Sequence, residues 1–193
     1  MKLSIIGPPG SGKTTQAELI SKNCGLTHIY MGRLLRIEAQ GDSPFAERIR
    51  CYLEAGLLVP LDIVHYILER EIEHVKDGYI LDGFPRTLEQ ALDLDVLLQK
   101  RSEHLDAVIY LVVSDEEITR RLIERGRKDD TPELIRRRIE VFRTEIQPVL
   151  NYYQIEEILV PVNGIGDPLE VEQRIFDELA ARHRLSSRCR RKN

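Results

Sequence analysis

Short apolar runs recur along this chain, separated by stretches with helical periodicity. Leu3-Ser4-Ile5-Ile6, Thr27-His28-Ile29-Tyr30, Tyr79-Ile80-Leu81, the run from Ala107 to Val113, and Ile158-Leu159-Val160-Pro161-Val162 have the length and composition of buried strands. Short apolar strands divided by helices imply parallel pairing through right-handed crossovers, so the predicted fold is α/β, a doubly wound five-stranded parallel sheet flanked by helices. Several helix starts are legible. Ser114-Asp115-Glu116-Glu117 and Asp167-Pro168-Leu169-Glu170 fit capping boxes, the second with proline at the first helical position. Thr131-Pro132-Glu133 and Ser43-Pro44 also read as N-caps.

Two segments depart from this alternation. Residues 31–75 read as helical throughout, with Ile63, Val64, Ile67, Leu68, Ile72 and Val75 on one face of the last helix. That is too long for a single crossover helix and predicts a helical insert. The second segment, Glu124 to Asp130, is a short charged loop between two helices.

Composition narrows the class. With 193 residues, 42% of them hydrophobic and 31% charged, the chain suits one globular domain, residues 1–193. No apolar stretch approaches the roughly 20 residues needed to span a bilayer, and no signal-peptide pattern opens the chain, so no membrane role is expected. Cys24, Cys51 and Cys189 are an odd, scattered set without C-x-x-C. They predict neither a zinc site nor a disulfide framework, and a cytoplasmic location fits them best. The net charge of −4 hides an asymmetry: residues 182–193 hold six Lys/Arg and no acid, leaving 22 basic against 32 acidic residues elsewhere. The basic tail, 184–193, reads as a solvated C-terminus in preference to a binding arm. The acidic body argues against nucleic acid as substrate.

The candidate chemistry begins at Gly7-Pro8-Pro9-Gly10-Ser11-Gly12-Lys13-Thr14, which fits G-x-x-x-x-G-K-[ST] between the first strand and a helix. Such a loop turns its backbone N–H groups toward phosphate oxygens. The helix N-terminus adds positive dipole density, the lysine reaches the outer phosphates, and a threonine hydroxyl can reach Mg²⁺. The pattern predicts a bound nucleoside triphosphate. Downstream, Leu81-Asp82-Gly83-Phe84-Pro85-Arg86-Thr87, followed by Gln90, ends a strand in an acid and leads through a tight turn to a helix. Ligands of open parallel sheets bind beyond the carboxyl ends of the strands, which sets Asp82 and Arg86 beside the phosphate loop. Asp82 suits Mg²⁺ held through water, and Arg86 a bidentate grip on phosphate. Arg120, Arg136 and Arg137 read as a solvated face, whereas Arg125, Arg127 and Arg138 lie in or near the charged loop. Arg121 completes the group. Phosphoryl transfer needs such cations and little else from the protein.

Taken in order, the phosphate loop, the helical insert, L-D-G-F-P-R-T-x-x-Q and R-G-R-x-D-D resemble the adenylate kinases, nucleoside monophosphate kinases of the short-lid form, over residues 1 to about 181. The resemblance implies reversible transfer from MgATP to AMP, giving two ADP, with Mg²⁺ and no zinc. With no exposed apolar heptad run or self-complementary face in the sequence, a monomer is expected. It also implies an insert at 30–59 that binds the monophosphate and a short lid at 125–131. Gly10, Ser11, Gly12, Lys13, Thr14, Thr15, Arg121, Arg125 and Gly166 would hold ATP. Met31, Arg36, the backbone of Leu57, Leu58 and Val59, the turn Gly83, Phe84, Pro85 and Arg86, with Gln90, Arg127 and Arg138, would hold AMP. Lys13, Arg86, Arg125, Arg127 and Arg138 would carry catalysis, with Thr14 and Asp82 nearest the metal. Gln90 would read the adenine edge through its paired acceptor and donor, although Thr87-Leu88-Glu89-Gln90 also fits a capping box.

The chain departs from the family pattern at Met31 and Arg33, where threonine and an acid are usual, and at Leu61, where a polar residue is more common. Threonine is found at position 14 in place of the usual glycine. One lost hydrogen bond at Met31 would cost about 0.5–1.5 kcal/mol. A kinase for UMP or CMP, or a nucleotide sensor of the same fold without turnover, are the alternative readings.

Overall fold

The computed structural model describes residues 1–126, 131–183 and 189. Five strands, β1 (Lys2–Ile6), β2 (Thr27–Tyr30), β3 (Tyr79–Asp82), β4 (Ala107–Val112) and β5 (Leu159–Asn163), form one sheet in the order β2-β3-β1-β4-β5. Every pairing is parallel. The five apolar runs of the sequence are these five strands. Because β1 is central and the chain crosses from one side of it to the other, loops leaving β1, β3 and β4 meet at a topological switch point.

Side-chain alternation along the strands divides the core into two layers. Leu3 and Ile5 of β1, Ile80 of β3, and Ala107, Ile109 and Leu111 of β4 face one way. They pack against α1 (Lys13–Cys24) and α8 (Pro168–Ala181). Ile6, Tyr79, Leu81 and Val108 face the other way, against α4 (Leu61–Glu73), α5 (Leu88–Lys100) and α7 (Pro132–Ile155). Each fully buried Leu or Ile removes enough apolar surface from water to contribute about 1.5–3 kcal/mol.

The segment read as continuously helical is three helices: α2 (Met31–Gln40), α3 (Ala46–Glu54) and α4. Ile63, Val64, Ile67, Leu68 and Ile72 are all buried, as their spacing predicted, while Val75 lies beyond the last turn and is partly buried. Between β4 and α7 lies α6 (Asp115–Arg125). The caps at Ser114 and Thr131 form as predicted, each side chain accepting from the backbone N–H three residues on, and Asp167 accepts from Leu169. Ser43 instead closes a turn ahead of α3, its hydroxyl accepting from the Phe45 N–H at 3.3 Å.

One expectation is overturned. Cys24 and Cys189 are joined by a disulfide across a sequence separation of 165. Cys24 ends α1, and both cysteines are buried in the layer that also holds α8, with Met1 against them. Spacing along the chain carries no sign of the pair, because the two positions meet only in the folded core, within one buried layer. A bond closing so long a loop restricts the unfolded chain. Reduction with dithiothreitol, or Cys24→Ser, is expected to lower the unfolding free energy by roughly 2–4 kcal/mol. Denaturant melts with and without reductant measure this, and superimposable curves would rule the contribution out.

Candidate active site

The phosphate loop owes its shape to its glycines. Gly12 is the N-cap of α1 in the left-handed region (φ 90°), and no side chain caps the helix, which leaves its first N–H groups directed at the cleft. Gly10 (φ 81°) lies so close to α6 that an added Cβ would come within 2.9 Å of Leu122 Cγ and 3.1 Å of the Ile118 carbonyl oxygen. Lys13 folds back over the loop, its ammonium donating to the Pro8 carbonyl at 2.7 Å and to Ser11 Oγ at 3.5 Å.

Beside the loop, β3 ends in Asp82, which is 1% exposed. Its Oδ2 lies 3.2 Å from His28 Nε2, a hydrogen bond when that nitrogen carries the proton. Its Oδ1 is buried without a hydrogen-bond partner among the described residues. The turn that follows includes a cis Phe84–Pro85 peptide and holds Arg86 in place from two directions. Arg86 Nε donates to the Gly83 carbonyl at 2.8 Å, and its backbone N–H donates to Gln90 Oε1 at 2.8 Å. Gly83 marks where the two halves meet: a Cβ there would lie 3.2 Å from Arg86 Nη2 and 3.8 Å from Lys13 Cε. The lysine of the loop and the arginine of the turn therefore flank one point.

These groups open into a cleft of about 1380 Å³. Arg36 from α2, Arg50 from α3 and Arg138 from α7 also line it, as do Arg120 and Arg121 from α6. Arg86 presents its open surface to this cleft but is ringed by protein. Loss of bulk hydration lowers its pKa first, and the charges of Arg138 and Arg36 lower it further, against the opposing pull of Asp82 and Tyr30. Arg121 ties two loops together, donating to the Ser11 carbonyl at 3.3 Å and the Gly164 carbonyl at 3.1 Å. Glu117, one helical turn back, holds Arg121 Nε at 2.6 Å and also binds Arg120. Hydrogen bonds from Arg120 first and Arg121 second hold the Glu117 carboxyl down at about 2.

Most residues named from sequence line this cleft. On the loop side these are Gly10, Ser11, Gly12, Lys13, Thr14 and Thr15, with Arg121 and Gly166. On the other side are Arg36, Leu57, Leu58, Gly83, Pro85, Arg86 and Arg138, with Asp82 between. Four others turn their side chains away from it. Met31, Val59 and Phe84 are buried in the core, and Gln90 is 5% exposed, with its amide oxygen spent on the Arg86 N–H. The side chain of Arg125, and Arg127 with the rest of 127–130, fall outside the described residues. Sequence reasoning missed Glu117, whose spacing of four from Arg121 was the available signal. It also missed Tyr30, His28, Arg50 and Glu145, which have no motif of their own.

Comparison with known proteins agrees with this geometry. A family model described as Adenylate kinase matches residues 5–158. An adenylate kinase of Prochlorococcus marinus (strain MIT 9211) is 42% identical over 171 residues, covering 88% of this chain and 92% of that protein. One from Mycolicibacterium smegmatis is 41% identical over 181 residues, covering 93% and 99%. One from Nocardia farcinica is 38% identical over 181 residues, again covering 93% and 99%. With the phosphate loop, the Asp82–Arg86 turn and the cationic cleft on one parallel sheet, the chain belongs to the adenylate kinase family.

Proposed function

We propose that this chain transfers the γ-phosphoryl group of MgATP to AMP, reversibly, giving two ADP, and that the cleft between the phosphate loop and the insert is where it does so. The observation that carries the reading is the approach of Lys13 and Arg86 to one point beside Gly83. One belongs to the loop suited to a triphosphate and the other to the turn facing the insert, so a phosphoryl group between them would be held by both. A single chain supplies both sides of the cleft, so a monomer suffices.

Negative charge in this reaction spreads over the moving group and the oxygens it leaves and joins, and the protein's contribution is position and countercharge. The loop N–H groups and Lys13 hold the donor phosphates. Arg36, Arg86 and Arg138 converge on the acceptor phosphate, and their mutual repulsion is relieved when an anion arrives. Leu57 and Leu58 give the acceptor nucleoside an apolar wall. Asp82 Oδ1, which has no hydrogen-bond partner among the described residues, and the Thr14 hydroxyl on the same cleft fit a hydrated Mg²⁺ carried in with ATP. When bound, that ion neutralises phosphate oxygens and orients them.

Purified protein with MgATP against AMP, GMP, CMP and UMP is expected to form ADP rapidly with AMP alone. Preference for another monophosphate would reassign the acceptor, and ATP binding without turnover would favour a sensor. Lys13→Ala and Arg86→Ala are each expected to reduce kcat/KM by at least about 10²-fold, with an unchanged circular dichroism spectrum. A loss below tenfold in either would count against these roles. Deleting residues 184–193 removes Cys189 and its bond, and so is expected to lower stability while leaving kcat within about twofold, which a paired melt and steady-state assay would read.

A further inference from the structure

Tyr30 ends β2 opposite Asp82 and is the N-cap residue of α2. Its ring lines the cleft, whereas the next side chain, Met31, turns into the core and is 2% exposed. Arg36, six residues on, stands over the Tyr30 ring with its guanidinium carbon 5.3 Å from the ring centroid. Its Nη2 also donates to the Tyr30 hydroxyl at 3.0 Å. His28 lies parallel to the ring, with centroids 5.9 Å apart and planes 4° from parallel. Gly32 makes room for this arrangement: a Cβ there would lie 3.0 Å from Tyr30 Cε2 and 3.5 Å from Arg36 Nη1.

We propose that Tyr30 is a positioning residue for the acceptor, a tyrosine that fixes Arg36 in the orientation that receives the phosphate of the nucleoside monophosphate. The inference rests on the reading of Arg36 as an acceptor-phosphate arginine. An arginine on a free helix face samples many rotamers, and ordering it when substrate binds weakens affinity. The ring fixes the plane of the guanidinium through its π-face, and the hydroxyl fixes the rotation within that plane. Arg36 is therefore held from the ring face and from the hydroxyl at once. The polar group that this turn gives the cleft therefore comes from position 30 instead of 31, and Met31 is free to pack.

The test is steady-state kinetics of the full chain with Tyr30→Phe, Tyr30→Leu, Arg36→Ala and the double variant Tyr30→Phe/Arg36→Ala. Tyr30→Phe is expected to raise KM for AMP roughly 3- to 10-fold through the lost hydrogen bond, with KM for MgATP unchanged and kcat within about twofold. Tyr30→Leu, which loses the ring as well, should raise KM for AMP further. In the Arg36→Ala background, Tyr30→Phe should change KM for AMP no further, because the two residues act as one unit. If KM for AMP stays within twofold in both tyrosine variants while Arg36→Ala raises it, the inference fails and the reading of Arg36 stands. If Arg36→Ala itself leaves KM for AMP unchanged, that reading fails and the inference with it. Equal rises in both KM values, together with a lower Tm, would reduce Tyr30 to a structural residue and overturn the proposal.

Discussion

Like charges repel, and the cleft of this protein holds Lys13, Arg36, Arg86 and Arg138 around one volume. At Arg86, reduced hydration first and then the charges of Arg138 and Arg36 oppose the cationic form. Left to themselves, such side chains would swing into solvent. They stay because their backbones leave the carboxyl ends of adjacent parallel strands, or helices packed on those strands, and because acids and carbonyls hold them from behind. Asp82 attracts Arg86, the Gly83 carbonyl accepts from its Nε, Tyr30 accepts from Arg36, and Glu117 grips Arg121. The cleft is thus charged in advance for phosphate, and the reorganisation that water would have to perform around a moving phosphoryl group is already done.

The sheet makes this possible by being buried on both faces. Layers of Leu, Ile and Val above and below fix β1, β3 and β4 relative to one another, so the loops at their ends inherit fixed positions. Phosphate loop and Asp82 turn come from neighbouring strands in register, with Ile5 opposite Asp82, and Asp82 opposite Tyr30. Three consecutive strand ends therefore deliver the loop, the acid and the tyrosine side by side.

Local chemistry was readable from the chain, and distant geometry was not. The phosphate loop, Asp82, Arg86 and the strand pattern follow from glycine, charge and apolar spacing over a few residues, and the structure assembles them as expected. Gln90 was ambiguous in sequence because one amide can read a base or brace a turn; in the structure its oxygen braces the Arg86 N–H. Met31, expected at the acceptor site, turns into the core while Tyr30 lines the cleft, because the direction of each side chain depends on how α2 leaves β2, which spacing does not encode. The Cys24–Cys189 bond was invisible for the same reason, since nothing in 165 residues of intervening sequence announces that the two positions share one buried layer.

That bond has a mechanical consequence. Helix α1, twelve residues or about 18 Å long, presents the phosphate loop at one end and Cys24 at the other. Force applied at the carboxyl terminus passes through Cys189 and sulfur directly to the base of this helix, bypassing α8. A motor pulling the chain apart from that terminus would load the nucleotide-binding helix before it unravelled the sheet, and would have to thread a branched chain to go further. Tension on the tail and occupancy of the triphosphate site therefore bear on the same rigid rod from opposite ends.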